Sequence, residues 1–306
     1  MEIILARPRG FCAGVNRAIA IVNQALNLYK PPVFVLHEIV HNTHVISELA
    51  NKGAVFVEEL EDIPAGSVTI FSAHGVSQAV MDRAGELGLR TIDATCPLVS
   101  KVHRRVTRLN KIEYEVLVIG HKGHPEVEGT CGHAAGPVHV VSSPEEVEEL
   151  QIADPTRVGY VTQTTLSVDD TAAMLNALRN RFPEISEPKR TDICFATTNR
   201  QAAVRKLADL VDVLLVVGSK NSSNSNRLRE VAQTKNIPAY LIDHAEEIKL
   251  EWLDNVERIG LTAGASAPEY LVQEVNFWLL AHGASTVHEL EGETETIKFQ
   301  LPEMKV

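Results

Sequence analysis

Thr91-Ile92-Asp93-Ala94-Thr95-Cys96 is a short β-prone run that stops on a cysteine, and the chain uses the device more than once. Thr191-Asp192-Ile193-Cys194 ends in the same way, and the opening residues Glu2-Ile3-Ile4-Leu5-Ala6-Arg7 lead up to Cys12. Further apolar runs accompany these three in a fixed order. One series occupies residues 33–36 ahead of His41, 116–120 ahead of His124, and 213–218 ahead of Ser222, Ser223 and Asn224. A second occupies 55–59, 138–142 and 239–243, each leading into an acidic helix start, and a third occupies 68–74, 158–164 and 259–266.

Short β-branched runs that alternate with helix-like stretches are the signature of parallel α/β units. Their recurrence predicts an α/β fold of three pseudo-threefold-related lobes with mostly parallel sheets. The lobes are expected at residues 14–97, 98–193, and 194–281 joined by 1–13. An acidic segment, 282–306, reads as a tail strand laid over another lobe, and residues 181–189 read as the loop entering the third cysteine strand. Ligands of open parallel sheets gather beyond the carboxyl ends of the strands. Equivalent strands around an axis would therefore carry Cys12, Cys96 and Cys194 to one point.

Composition narrows the function. The chain has 306 residues, 44% of them hydrophobic, and a formal charge of −11. No long basic run is present, so neither nucleic acid nor an anionic membrane is an expected partner. No apolar run approaches the ~20 residues of a membrane span, and the start carries neither a basic leader nor a cleavage pattern. A cytoplasmic protein is the expectation, and in that compartment cysteines serve as buried side chains, redox pairs or metal ligands rather than structural disulfides. Cys12, Cys96 and Cys194 are separated by 84 and 98 positions. They lack the close pairs of structural zinc sites, and their wide spacing matches no ferredoxin loop. Three thiolates on a four-iron cluster would leave one iron with an open site, a feature of enzymes that coordinate substrate.

Arg9-Gly10-Phe11-Cys12-Ala13-Gly14-Val15 places one thiol in a glycine-flanked turn ahead of a helix, where amides favour the thiolate. His41, His74 and His124 follow apolar strands, and Thr164, Ser222, Ser223, Asn224 and Ser266 take matching places. Such groups, with the amides of helix starts, suit a phosphate or diphosphate. Glu126, beside His124, reads either as a carboxylate favouring a helix N-terminus or as a carboxyl that moves a proton.

The segments Pro8-Arg9-Gly10-Phe11-Cys12-Ala13-Gly14-Val15, Ser72-Ala73-His74-Gly75-Val76-Ser77, Asp93-Ala94-Thr95-Cys96-Pro97, Gly123-His124-Pro125-Glu126-Val127-Glu128-Gly129 and Gly218-Ser219-Lys220-Asn221-Ser222-Ser223-Asn224-Ser225 resemble the motifs of the 4-hydroxy-3-methylbut-2-enyl diphosphate reductases, iron–sulfur enzymes of the non-mevalonate isoprenoid pathway. Thr162-Gln163-Thr164-Thr165-Leu166-Ser167 and Ala263-Gly264-Ala265-Ser266-Ala267-Pro268 extend the likeness almost end to end. The resemblance implies a trefoil of lobes around a [4Fe-4S] cluster held by Cys12, Cys96 and Cys194, with the substrate hydroxyl on the open iron. It implies a diphosphate among His41, His74, His124, Ser222, Asn224 and Ser266, Thr164 near the reacting end, and Glu126 as proton source. Electrons would come from reduced ferredoxin or flavodoxin, and the products would be isopentenyl and dimethylallyl diphosphate. Cys131 has no place in this pattern. A hydro-lyase with an open cluster iron and a cluster-bearing sensor are the alternatives; a requirement for reductant separates both from a reductase.

Overall fold

The computed structural model describes residues 1–304; the last two residues of the expected tail lie outside it. In chain order the elements are β1 (Glu2–Leu5), α1 (Ala13–Tyr29), β2 (Val33–Leu36), α2 (Thr43–Asn51), β3 (Ala54–Val57), β4 (Val68–Phe71), α3 (Gln78–Glu86), β5 (Arg90–Asp93) and α4 (Pro97–Lys111). Then come β6 (Glu115–Ile119), α5 (Pro125–Cys131), β7 (Val138–Val141), α6 (Pro144–Glu149), β8 (Val158–Thr162) and α7 (Val168–Arg181). The rest comprises α8 (Phe195–Ala208), β9 (Val213–Val217), α9 (Ser223–Gln233), β10 (Ala239–Ile242), β11 (Arg258–Ala263), α10 (Glu269–Ala281) and β12 (Thr286–Glu289).

These strands form three parallel sheets, ordered β3-β2-β4-β5, β7-β6-β8 and β10-β9-β11-β1-β12. The repeat seen in the sequence is thus a repeat of pairing. In each sheet the first-series strand lies between the second-series and third-series strands, with matching register. β9 shows why the central strands are apolar throughout. Val213, Leu215 and Val217 pack on one face with α10, while Leu214 and Val216 pack on the other with Val204, Leu207 and Leu228 of α8 and α9. A strand covered by helices on both faces has no solvent side on which to carry polar residues.

Two expectations are corrected. Residues 191–194 form no strand; the fourth place of the middle sheet is a single bridge from Ser186 to Gly159. Asp192 is buried there and pairs with Lys101 at 3.0 Å, a side-chain anchor where backbone pairing was expected. The expected tail strand, β12, pairs with β1 and extends the five-stranded sheet, and only farther along the tail does the Gln300 carbonyl accept from Arg17 at 2.9 Å.

By compactness the chain divides into two units. The first comprises Met1–Asn16, His41–Ile46 and Phe195–Lys298 and holds the five-stranded sheet; the second comprises Arg17–Val40, Ser47–Cys194 and residues 299–304, with the other two sheets. In the first unit Arg200, 1% exposed, donates to the Gly10 carbonyl at 2.7 and 3.1 Å and to the Ala196 carbonyl at 2.9 Å. Its charge is met by Glu295 at 3.0 Å. One buried guanidinium thus ties the loop carrying Cys12, the first turn of α8 and the tail together. Removing one member of a buried pair leaves the other uncompensated. Glu295→Ala is expected to destabilise the protein by about 3–5 kcal/mol, read as a lowered urea midpoint.

Candidate functional site

Each of the three sequence-singled cysteines directly precedes a helix: Cys12 before α1, Cys96 before α4, Cys194 before α8. Each also donates its backbone N–H to the carbonyl at the end of a third-series run. Cys12 donates to Ala265 at 3.1 Å, Cys96 to Ala73 at 3.0 Å and Cys194 to Thr164 at 3.0 Å. The same bond therefore fixes the same residue three times. Helix starts favour thiolates, and Cys12 Sγ already accepts from the Val15 N–H at 3.5 Å. Cys131 is the opposite case. It is the last residue of α5, and burial together with Glu128 pushes its thiol pKa up. No disulfide joins the four. Among the described residues no group of three or more His, Cys, Asp or Glu side chains is gathered to hold a metal ion; Cys12 belongs to the first unit, Cys96 and Cys194 to the second.

In the second unit, His124 caps α5, its Nδ1 accepting from the Glu126 N–H at 3.1 Å. With Nδ1 an acceptor, the proton of the neutral ring resides on Nε2. His74 meets His124 edge to face at 5.9 Å. Glycine permits this approach, since a Cβ on Gly129 would stand 3.0 Å from the Gly75 carbonyl oxygen. Glu126 lies in the first turn of α5 and is 3% exposed. Its Oε1 accepts from the Thr164 N–H at 2.6 Å and its Oε2 from the Thr164 hydroxyl at 2.9 Å. Thr164 therefore joins Glu126 to the backbone position that holds Cys194. Gln163, not singled out from sequence, accepts from the His121 N–H and donates to Thr165 Oγ1. The cysteine bonds place Thr165, rather than Thr164, in register with His74 and Ser266.

In the first unit, Ser222 caps α9 and stands 3.3 Å from Ser266, which donates to the His41 carbonyl at 2.9 Å. Ser223, half-buried, opens α9. Ser225 is wedged between strand ends: a Cβ on Gly218 or Gly264 would collide with its Oγ. Asn224 Oδ1 accepts from the Ala265 N–H at 2.8 Å, leaving its buried Nδ2 without a partner. Asn42, missed from sequence, repeats this: Oδ1 accepts from the Val45 N–H, and the buried Nδ2 is unpartnered. Buried donors are normally satisfied. The two orphaned amides, at the starts of α2 and α9, are donors that an anionic oxygen can satisfy.

An α/β protein with three parallel sheets and, in each repeat, a cysteine at a helix start bonded to the end of a third-series run is the class that fold and site define. The LytB protein family matches residues 3–279, and the chain belongs to that family. It is 56% identical over 306 residues to the 4-hydroxy-3-methylbut-2-enyl diphosphate reductase of Psychrobacter sp., covering 99% of this chain and 96% of that one. It is 57% identical over 301 residues to the enzyme of that name from Bordetella pertussis, covering 98% and 93%. The solved E-1-hydroxy-2-methyl-but-2-enyl-4-diphosphate reductase of Plasmodium falciparum superposes with a TM-score of 0.94 at 41% identity, covering 99% of this chain and 95% of that one.

Burial raises the Glu126 pKa from 4.5 to about 7; the Thr164 hydrogen bonds oppose this and Asp192 adds to it. A carboxyl whose folded pKa lies above its unfolded value contributes stability that is complete below the unfolded pKa and is lost as pH rises through the folded one. In the wild type that loss falls between pH 4.5 and about 7. It amounts to roughly 3 kcal/mol at 1.36 kcal/mol per unit. Glu126→Gln has no such ionisation. The variant is therefore expected to gain on the wild type by about that amount between pH 4.5 and 8, measured by urea unfolding across the range; a helix-start carboxylate would instead make it less stable at pH 8.

Proposed function

We propose that the chain catalyses the reductive removal of the hydroxyl of 4-hydroxy-3-methylbut-2-enyl diphosphate, giving isopentenyl and dimethylallyl diphosphate. The substrate takes up two electrons and two protons; its C–O bond breaks, a C–H bond forms, and the oxygen leaves as water. The observation that carries this reading is the thrice-repeated placement of a cysteine at a helix start, bonded to the end of an equivalent strand, in a chain of the LytB family.

Cys12, Cys96 and Cys194 would hold a [4Fe-4S] cluster; three thiols are one short of the four ligands of a structural zinc site. When bound, the cluster supplies single electrons and a Lewis-acidic iron for the hydroxyl. The donors proposed for the diphosphate are His41, Asn42, His74, His124, Ser222, Ser223, Asn224 and Ser266. The orphaned amides of Asn42 and Asn224 gain acceptors when phosphate oxygens arrive. His124 presents Nε2–H, because its Nδ1 is engaged by the Glu126 amide. Glu126, with a pKa of about 7, carries a proton through much of the physiological range. It can pass that proton through the Thr164 hydroxyl, which touches its Oε2, to the departing oxygen or the reacting carbon. The soluble donor is a reduced ferredoxin or flavodoxin, and the cytoplasm is the compartment.

Cys12→Ser, Cys96→Ser and Cys194→Ser are expected to lose most cluster absorbance and turnover, while Cys131→Ser keeps both. Glu126→Gln is expected to keep cluster and substrate binding and to lower turnover by about 10²–10⁴-fold, the usual contribution of a general acid. An anaerobic assay with and without dithionite checks these outcomes on one preparation. Turnover without reductant would make the chain a hydro-lyase, and an intact cluster without any turnover would make it a sensor.

Asn224→Ala is expected to raise the Kd for inorganic diphosphate by about 10–150-fold, as loss of a hydrogen bond to a charged group costs ~1.5–3 kcal/mol net. Calorimetry reads it without a loaded cluster. An unchanged Kd would place the anion elsewhere.

A further inference from the structure

Each turnover of the proposed reaction takes up two electrons from outside the chain, so a donor must dock somewhere; the inference that follows rests on that reading. The chain's charge is −11. Yet α4, with the sequence PLVSKVHRRVTRLNK, contains no acid. Its apolar stripe, Val102, Val106 and Leu109, packs with Val116, Val118 and Val161 of the middle sheet. The opposite stripe is Lys101, Arg104, Arg108 and Lys111, at i, i+3, i+7 and i+10.

Lys189 and Arg190 add to it. They line, with Lys101, Arg104 and Arg108, a concavity of about 460 Å³ whose wall includes no acidic residue. Arg104, Arg108, Lys111, Lys189 and Arg190 are all exposed, and among the described residues none of the five enters an ion pair. A solvated helix face is the ordinary reading of such a stripe. Stability argues against it as the whole account. Like charges three and four apart destabilise a helix by about 0.2–0.5 kcal/mol per pair, and only Arg108 and Lys111 lie in the last turn, where the helix dipole favours cations. Other helices of this chain place acids in their first turn, as α5, α6 and α7 do.

The stripe's position gives it a use. α4 starts immediately after Cys96, so Lys101 and Arg104 stand about 6 and 10 Å along the axis from Pro97. Lys101 also holds the segment before Cys194, through the Arg190 and Thr191 carbonyls and Asp192. The basic face therefore rests on the segments that carry two of the three proposed cluster ligands. Electron transfer decays exponentially with distance, which rewards docking there. In a chain whose overall field repels anions, a local basic patch is also what steers an acidic partner to one place.

We propose that the face formed by Arg104, Arg108, Lys111, Lys189 and Arg190 docks a small acidic one-electron carrier protein, whose surface carboxylates pair with these cations while its redox centre delivers electrons beside Cys96. Each docking transfers one electron: the carrier is oxidised, the protein reduced, and two dockings complete a turnover.

The probe is a reduced acidic [2Fe-2S] ferredoxin, tested anaerobically on the cluster-loaded protein. Two variants reverse the face, Arg104→Glu/Arg108→Glu and Lys189→Glu/Arg190→Glu, and Lys52→Glu, an exposed lysine at the end of α2, is the control. The variants are expected to raise the ferredoxin Kd by calorimetry and its KM in turnover by roughly 10–100-fold at low salt. Methyl-viologen-driven turnover and cluster absorbance should stay at the wild-type level, as should every readout in Lys52→Glu. High salt should weaken ferredoxin binding to the wild type and leave the variants little changed. An unchanged ferredoxin Kd in both variants overturns the proposal, as does an equal fall in viologen-driven turnover, which would make the face a structural support. Tight retention of duplex RNA that ferredoxin does not displace would make it a nucleic-acid surface and overturn it too. Wild-type protein inert with viologen would instead sink the reductase reading, while the Kd comparison still decides the docking face.

Discussion

The bond from a cysteine's backbone N–H to the last carbonyl of a neighbouring strand run is the constraint on which the site depends. It occurs at Cys12, Cys96 and Cys194 with nearly the same length. Parallel strands end together, and the chain leaving one of them must satisfy its first amides before a helix can do so. The adjacent strand end offers a free carbonyl, and a residue caught between that carbonyl and the helix start has little freedom left. The cysteine's backbone is thereby fixed, and the amides of the helix start favour the thiol's ionised form.

Around these anchors the polar groups divide by function. Arg105 and Arg200 are buried and spend their donors on backbone carbonyls, holding elements in place. Asn42 and Asn224 keep a donor unsatisfied, a cost of roughly 1–3 kcal/mol each for a buried group. Such a cost is tolerated where a ligand removes it, and both sit at helix starts beside serine hydroxyls. Glu126 combines the two. Thr164 fixes its geometry with two hydrogen bonds, while burial holds the carboxyl near neutrality at physiological pH. The Thr164 carbonyl also receives the Cys194 amide, so the buried carboxyl and the Cys194 backbone are held by one residue.

Charge is distributed as unevenly as polarity. The chain's net charge is −11, yet among the described residues Arg104, Arg108 and Lys111 of α4 and Lys189 and Arg190 enter no ion pair. A helix whose buried stripe serves the middle sheet, whose first residue follows a cysteine, and whose exposed stripe is basic links core, site and surface over fifteen residues.

The order of apolar runs, read in the sequence, determined the three parallel sheets, because a strand buried on both faces must be apolar along its length and its place in a repeat survives in composition. The site residues were legible for a related reason: cysteines and histidines are scarce, so their recurrence in register stands out. The sequence did not reveal that residues 191–194 lack strand pairing, since Asp192 anchors that segment by a side chain to Lys101 and ion pairs leave no period. Nor did it reveal that the tail strand joins β1, because edge pairing uses backbone groups that every sequence possesses. Arg200 with Glu295, the orphaned amide of Asn42 and the bond from Thr164 to Glu126 were likewise invisible. Each joins residues far apart in the chain through burial and direction, and only the tertiary structure decides which polar groups are left in the dark and which of them find a partner there.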